Sequence, residues 1–286
     1  MESSPTNTYV FDPESSTELA RLVNQDRMTT TIMGGPLAGI PEPSILRNIL
    51  DLGCGPGGWV LDTAFALPEA EVEGVDVSRI MVDYANARAR TQQLPNASFG
   101  VMDLTQPFIF PDASFDLVNA RALFAVLKRE GWNPFLDECT RVLRPGALLR
   151  LTELVDFGHT SSAAVNQLMA LQIQALWQAG YAFSPDGRSV GMVHILPSLL
   201  RERGYQELRL LPHSLEFSAN MDAWADQYHN IEIIGYQMKP LLVKLGLITP
   251  EAFDQLHQQA LADMQRETFF GMLHLLTVLG HKPSAS

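Results

Sequence analysis

A short apolar segment runs directly into a turn crowded with glycines, and this junction restricts the fold more than any other feature. Residues 48–52 read Asn-Ile-Leu-Asp-Leu, and Gly53, Gly55 and Gly57 follow at once. Glycine adopts backbone angles and close approaches that a side chain forbids, so main-chain N–H groups there can line a ligand at a helix start. The junction predicts a strand, a turn and a helix that bind a nucleotide.

Acidic residues end the strands predicted around this turn. Asp51 lies near the end of the first strand, Asp76 ends a second strand over 71–76, and Asp103 follows a third over 97–102. A carboxylate beside such a turn accepts the hydroxyls of a ribose, so Asp76 is the candidate for that contact. Asp51 would repel a pyrophosphate in a partly dry cleft, whereas a cationic ligand would gain from it. Each acid could also serve only to cap the turn that follows its strand.

The glycines also fit a second pattern. Gly53, Gly55 and Gly58 have the spacing G-x-G-x-x-G of dinucleotide enzymes, a weak signal when taken alone. An NAD(P)-dependent oxidoreductase therefore stays open as an alternative, although the sequence has no obvious Tyr-x-x-x-Lys pair for hydride transfer. A non-catalytic cofactor-binding protein on the same fold is the other alternative, because a fold alone does not decide function.

Apolar strands alternate with helical segments from 48 to 155. This alternation predicts an α/β fold with a doubly wound, mostly parallel seven-stranded sheet that carries helices on both faces. Two further strands are expected at 115–119 and 147–153, with Asp116 inside the first of them. Ligands of such sheets bind outside the carboxyl ends of the strands. The polar residues expected to converge at that rim are Asp51, Asp76, Asp103 and Asn119.

The residues before the sheet predict a helix and a loop. Asp12-Pro13-Glu14 is typical of a helix start, and an apolar stripe of Leu19, Leu22 and Val23 carries the helix to about Asn24. A Gly/Pro-rich loop over 29–44 follows, and it serves either as a linker or as a lid. The candidate lid contacts are Tyr9, Arg27 and Met33.

After Glu153 the alternation stops and longer helices are expected. The helices are expected at about 162–180, 221–245 and 249–267, and Pro240 would kink or end the second of them. Strands are expected at 208–217 and 272–280. We infer an inserted helical cap. The predicted division is 1–44 for the N-terminal helix and lid-like loop, 45–155 for the Rossmann-like core, 156–268 for the cap or substrate region, and 269–286 for the last strand and tail.

Four segments together resemble the class I S-adenosylmethionine-dependent methyltransferases, more narrowly the small-molecule branch similar to ubiquinone/menaquinone biosynthesis methyltransferases. The segments are Asp51–Gly57, Gly74–Ser78, Met102–Leu104, and Phe115–Ala120 followed by Arg141–Gly146. The resemblance covers roughly residues 45 to 155. It implies S-adenosyl-L-methionine as cofactor and methylation of a small organic metabolite, on oxygen or carbon rather than on nitrogen.

The resemblance also implies residue roles. The glycine turn and Asp51 would hold the methionine end, Asp76 the ribose and Asp103 the adenine amino group. Val77 and Met81 would enclose the adenine, and the end of the fourth strand would pass the sulfonium. The residues expected at the cofactor are Asp51, Gly53, Gly55, Gly57, Asp76, Val77, Met81, Met102, Asp103, Leu104, Asn119, Ala120 and Arg121.

The acceptor side of the site is less defined by sequence. Methyl transfer is an in-line displacement that mainly requires positioning, so a general base is needed only for acceptors such as hydroxyls. Candidate bases in the inserted helices are His229, Tyr228 and His194, and candidate substrate contacts are Trp224 and Tyr236. The same aromatic residues could instead serve helix packing.

Charge and composition restrict the partners. A net charge of −12 and a pI of about 5.0, with no Lys/Arg run, predict that nucleic acid is not a partner. No apolar run approaches the roughly 18 residues of a membrane span, and the N-terminus has no secretory signal pattern, so we expect a cytoplasmic protein without a membrane partner. No His or Cys cluster has ligand spacing, so no metal is expected. A monomer or homodimer is expected.

Overall fold

A computed structural model of the chain describes residues 9–12 and 14–284. The chain divides into two compact units. Within the described residues, the first unit comprises the chain up to 153, then 195–211, and then the chain from 277 onward. The second unit comprises 154–194 and 212–276.

The first unit contains five strands joined by parallel pairings. The central strand β1 (Asn48–Leu52) lies between β2 (Glu71–Asp76) and β4 (Phe115–Arg121). The strand β3 (Ala97–Val101) pairs with β2, and β5 (Leu143–Leu154) pairs with β4. Ile49 and Leu50 point to opposite faces of β1 and are both fully buried, as expected for a parallel sheet covered on both sides.

Three more strands complete the sheet. They are β6 (His159–Thr160), β7 (Gln206–Glu216) and β8 (Gly271–His281), and β6 pairs antiparallel with β8. The strand order is β3-β2-β1-β4-β5-β8-β6, and β7 also pairs with β8. The predicted α/β fold with a mostly parallel sheet is confirmed. The sheet has eight strands rather than seven because β6, only two residues long, carries too little pattern to be predicted.

The helices of the first unit follow the strands closely. They are α1 (Ser16–Ile32), α2 (Gly58–Ala66), α3 (Arg79–Thr91) and α4 (Trp132–Val142). Ser78 caps α3 as predicted, because its side-chain oxygen accepts a hydrogen bond from the backbone N–H of Met81 at 3.2 Å.

The predicted bounds of α1 are wrong at both ends. The helix begins at Ser16, because the Asp12 carboxylate accepts the N–H of Glu14 in a local turn instead of capping the helix, and Pro13 lies outside the described residues. It continues to Ile32, so the predicted 29–44 loop begins within a helix. The side chains of the predicted apolar stripe, Leu19, Leu22 and Val23, are half-buried. The buried side chains of α1 are Glu18, Arg21, Thr29 and Thr30, a polar set that pattern reasoning assigns to the surface.

The second unit contains α5 (Ala163–Gln178), α7 (Trp224–Lys244) and α8 (Pro250–Met264). Pro240 does not end α7, since a proline removes a single helical hydrogen bond and the helix continues to Lys244. One helix was not predicted: α6 (Met192–Glu202) has Pro197 inside it, which conceals the helical pattern. Among the described helices, none has the length and hydropathy that crossing a bilayer requires.

Candidate functional site

Two neighbouring strands of the first unit bring an aspartate and an asparagine together. Asp51 on β1 is the register partner of Asn119 on β4, and the Asn119 amide donates a hydrogen bond of 2.7 Å to Asp51 Oδ1. Both side chains are buried. Within the described residues, the other carboxylate oxygen of Asp51 and the amide oxygen of Asn119 have no hydrogen-bond partner. Burial raises the pKa of Asp51 to about 7, opposed by the charge of Arg121.

The glycine turn after β1 requires backbone conformations that favour glycine. Gly53, Gly55 and Gly57 have φ of +71°, +51° and +79°. A Cβ placed on Gly55 would meet no atom of the described residues within 4 Å, so the space beside its backbone is open there. A Cβ on Gly53 would instead lie 2.8 Å from a methyl group of Leu123. The predicted strand, turn and helix are therefore present.

Asp76 at the end of β2 is tied to this turn. One carboxylate oxygen accepts the N–H of Gly55 at 2.9 Å, and the other accepts the N–H of Ser78 at 2.9 Å. Burial raises the pKa of Asp76, and the hydrogen bonds from the backbone oppose that rise. Each carboxylate oxygen has capacity for a second hydrogen bond, which leaves acceptors for ligand hydroxyls.

The residues predicted near an adenine lie directly after β2, on α3 and in the segment after β3. Met81 is buried at the start of α3, Val77 is half-buried, and Met102 and Leu104 are buried on either side of Asp103. The Asp103 carboxylate accepts hydrogen bonds from the N–H and the hydroxyl of Thr105, at 2.9 and 2.7 Å. That Asp103 contacts the adenine amino group stays a prediction.

Arg121 at the end of β4 binds a residue that the sequence did not indicate. Its guanidinium forms an ion pair of 2.6 Å with Asp26 on α1 and donates to the Thr30 hydroxyl at 3.0 Å. The side chains of Arg121 and Asp26 are each only 11% exposed. Asp26 lies within a helix and belongs to no motif, so no sequence signal pointed to it.

The position of Asp26 also explains Gly58, the third glycine of the alternative spacing. A Cβ on Gly58 would lie 1.7 Å from the carboxylate of Asp26, so the glycine makes room for that side chain. The Asp26 carboxylate therefore lies at the start of α2, where a pyrophosphate would have to bind, and two negative groups repel. The oxidoreductase alternative is not favoured.

The N-terminal segment carries a second buried polar group. The Tyr9 hydroxyl donates to Glu18 at 2.7 Å, and Arg21 forms an ion pair of 2.6 Å with the same carboxylate. Burial raises the pKa of Tyr9, and the charge of Arg21 opposes this while the charge of Asp76 adds to it. The backbone N–H of Val10 donates to the carbonyl of Ala125 at 3.1 Å, in the turn after β4.

The loop after α1 is bound to the sheet and to α2. The carbonyl of Pro36 accepts hydrogen bonds from the Trp59 indole N–H, at 2.9 Å, and from the Arg150 guanidinium. Met33 is buried, whereas Arg27 is exposed on α1. The lid role of Tyr9, Arg27 and Met33 stays a prediction.

Asp116, inside β4, is occupied by structural contacts. One oxygen accepts the N–H groups of Arg47 and Asn48, each at 2.9 Å, and the other pairs with Arg144. Burial alone would raise the pKa of Asp116, but the hydrogen bonds from Asn48 and Arg144 lower it. These contacts give Asp116 a structural role.

The candidate bases lie in the second unit. Trp224 and Tyr228 stack at 5.2 Å on one face of α7, as the helical spacing predicts, and the Tyr228 hydroxyl accepts a hydrogen bond from Gln265. His229 is 64% exposed and lies 3.4 Å from Glu232. Tyr236 packs edge-on against His257, with ring centres 4.6 Å apart. His194 is exposed near the start of α6.

A comparison with known families identifies the core. Residues 49–146 match the model of a family described as a methyltransferase domain. This segment is a methyltransferase domain. Its bounds contain the glycine turn, Asp76, Asp103 and Arg121. The predicted resemblance is confirmed.

Relatives of the methyltransferase domain extend beyond these bounds. The chain is 33% identical over 155 residues to an aklanonic acid methyltransferase from a Streptomyces strain, covering 53% of this chain and 60% of the relative. It is 29% identical over 187 residues to a trans-aconitate 2-methyltransferase from Methylobacterium radiotolerans, covering 64% and 62%. The chain thus spans about three fifths of the length of these curated relatives.

Solved structures share the fold of the methyltransferase domain and its surroundings. A geranyl diphosphate C-methyltransferase from Streptomyces coelicolor, solved with Mg²⁺, geranyl diphosphate and S-adenosyl-L-homocysteine, superposes with a TM-score of 0.51. The match covers 95% of this chain and 85% of that one at 16% sequence identity. At this identity the likeness concerns the fold alone.

Proposed function

We propose that the chain is an S-adenosylmethionine-dependent methyltransferase (EC 2.1.1.-) that acts on a small organic metabolite. The observation that carries the proposal is the buried Asp51 oxygen that lacks a hydrogen-bond partner among the described residues, next to a glycine turn whose Gly55 faces open space. A buried lone acceptor of this kind suits a positively charged ligand. S-adenosylmethionine supplies a methyl group bound to a positive sulfur.

The residues of the first unit fit the parts of that cofactor. Asp51 and the backbone of the glycine turn would hold the methionine end, and Asp76 would accept the ribose hydroxyls. Because Gly55 donates its N–H to Asp76, the two contacts are fixed relative to each other. The protein's task is then to hold the acceptor atom in line with the methyl group, which is mainly a matter of positioning.

We propose the methyl acceptor only as a class of compound. The names of two relatives, aklanonic acid methyltransferase and trans-aconitate 2-methyltransferase, refer to organic acids. They support oxygen as the preferred methylated atom, followed by carbon and then nitrogen. We further propose that residues 156–268 supply the substrate region. Its candidate bases are His229, Tyr228 and His194, and its candidate contacts are Trp224 and Tyr236, with Tyr9, Arg27 and Met33 from the N-terminal segment. We also propose that the protein is a cytoplasmic monomer or homodimer that does not bind nucleic acid.

Titration calorimetry with S-adenosylhomocysteine tests the cofactor assignment. We expect the wild-type chain to bind with a Kd in the micromolar range or tighter, and Asp76→Ala to weaken binding at least about a hundredfold, since it removes charge-assisted hydrogen bonds to the ligand and to Gly55. Asp112→Ala is the matched control, because that acid is 78% exposed and pairs only with Arg141 among its ion-pair contacts. Absence of binding heat for the wild-type chain would contradict the proposal.

The acceptor class requires an activity screen. Labelled S-adenosylmethionine is incubated with pools of carboxylic acids, phenols, amines and terpenoids, and transfer into the carboxylic acid or phenol pools is expected. Transfer into the amine pool alone would overturn the preference for oxygen. Binding of the cofactor without transfer to any pool would favour the non-catalytic alternative.

A further inference from the structure

The turn that follows β4 has a strained backbone. Ala122 has φ of +56°, a left-handed conformation that costs a residue with a Cβ roughly 1–2 kcal/mol. Leu123–Ala125 then form a single 3₁₀ turn. The N–H of Ala122 donates to the carbonyl of Thr152 on β5 at 2.9 Å. A turn of this shape persists only when surrounding contacts hold it.

Glu153, the residue after Thr152 on β5, supplies such contacts. Its two carboxylate oxygens accept the backbone N–H groups of Leu123 at 2.7 Å and Phe124 at 3.2 Å. The side chain is only 1% exposed. Removing a buried acceptor leaves its backbone donors without hydrogen bonds. Glu153 therefore fixes the two residues that follow the strained Ala122.

The turn held by Glu153 touches two other parts of the candidate site. A methyl group of Leu123 lies 2.8 Å from the position that a Cβ on Gly53 would take, so Leu123 packs directly on the glycine turn. The carbonyl of Ala125 accepts the N–H of Val10, next to Tyr9. One carboxylate thus connects the end of β5, the glycine turn and the N-terminal segment.

We propose that Glu153 is a positioning residue for methyl transfer, which holds the 122–125 turn in the strained shape that supports the glycine turn through Leu123 and the N-terminal segment through Ala125. This inference rests on the proposed function. Glu153 does not contact the reacting atoms in this role; it acts through the turn. No sequence pattern points to Glu153, because a single glutamate at a strand end belongs to no motif.

Glu153→Gln tests the role with little change in shape. The amide keeps one acceptor oxygen but turns an NH₂ group toward the second backbone N–H. We expect the Kd for S-adenosylhomocysteine to rise about tenfold at a pH above the Glu153 pKa of about 8, where the wild-type carboxylate is ionised, and at a temperature where circular dichroism shows the variant folded. Glu138→Gln is the matched control, since Glu138 also accepts a backbone N–H, that of Phe108, away from the turn. We expect it to leave the Kd unchanged.

A rescue variant separates positioning from general stability. Glycine adopts positive φ without strain, so Ala122→Gly in the Glu153→Gln background should return the Kd to within about threefold of wild type. A merely structural Glu153 would lower the unfolding midpoint of the variant without changing the Kd of the folded fraction. Equal affinity of wild type and Glu153→Gln would overturn the proposal, as would a Kd that Ala122→Gly leaves uncorrected.

Hydrogen exchange on the wild-type chain gives a readout that does not depend on any variant folding. If the turn supports the cofactor site, S-adenosylhomocysteine should slow exchange of the Leu123 and Phe124 amides at least tenfold. Unchanged exchange of both amides on binding would reject the positioning role while leaving the proposed function intact. A wild-type chain that shows no binding heat would reject the proposed function and this inference with it.

Discussion

One ion pair from each unit shows how burial changes the role of a charged group. In the first unit, Asp26 and Arg121 form an ion pair whose side chains are each 11% exposed. In the second, His229 and Glu232 approach only to 3.4 Å and are 64% and 40% exposed. A buried charge must have a partner, whereas an exposed one is satisfied by water. A substitution in the buried pair therefore acts on stability and on the site together, while a substitution in the exposed pair leaves stability nearly unchanged and tests function alone.

The largest effect is expected from Arg121→Met, which leaves the Asp26 carboxylate buried without its partner. Breaking a buried pair from one side costs about 3–5 kcal/mol in the free energy of unfolding, measured by urea denaturation. Arg266→Met is the counterpart in the second unit, where the arginine is 65% exposed and pairs with Asp263, and it should cost about 0–1 kcal/mol. Equal losses of unfolding free energy from the two substitutions would contradict the contrast between the buried and the exposed ion pair.

The pH dependence of stability should reflect the buried acids of the first unit. Burial raises the pKa of Asp51 to about 7 and that of Glu153 to about 8, whereas the unfolded chain ionises both near pH 4. The folded state then holds more protons than the unfolded state between these values. Their contribution to stability is fully present below about pH 4 and is lost as the pH rises through 7 to 8.

Urea midpoints at pH 5.5, 7.0 and 8.5 check this dependence. We expect the midpoint to fall from each pH to the next, and a flatter series for the double variant Asp51→Asn with Glu153→Gln. A wild-type stability that rises with pH over the same range would contradict the raised pKa values of Asp51 and Glu153.

A smaller effect is expected where two helices of the second unit pack closely. A Cβ on Gly235 of α7 would lie 2.4 Å from Nε2 of His257, whose ring is 2% exposed and stacks on Phe253. The ring has little room to move, so Gly235→Ala should cost about 1–3 kcal/mol by thermal or urea unfolding. Gly100→Ala on β3 is the control, since its nearest contact would be at 4.0 Å, and it should destabilise less.

The smallest effect is expected from His229→Ala. An exposed side chain away from the packed interior changes stability by no more than about 0.5 kcal/mol. With its weak contact to Glu232, we expect the methylation rate to stay within about threefold of wild type. A loss of about a hundredfold or more, at unchanged stability, would instead assign the general base to His229.

Sequence reasoning succeeded where backbone geometry dictates residue type. The strands β1 and β2 lie at the predicted positions, because each is a short apolar run that ends at a turn or an acid. It failed for α1, whose buried side is polar and whose Asp26 pairs with Arg121 from a distant strand. Partners that lie far apart in sequence, such as Glu153 and the Leu123 amide, leave no local pattern from which they could be predicted.

The loop after α1 is attached through the carbonyl of Pro36, which makes this attachment independent of the side chain at that position. The hydrogen bonds from Trp59 and Arg150 both end on a main-chain oxygen that every amino acid possesses. Relatives could therefore carry a different side chain at position 36 while this attachment persists. Selection on that attachment would fall on the indole and the guanidinium, which lie far along the chain from the segment they hold.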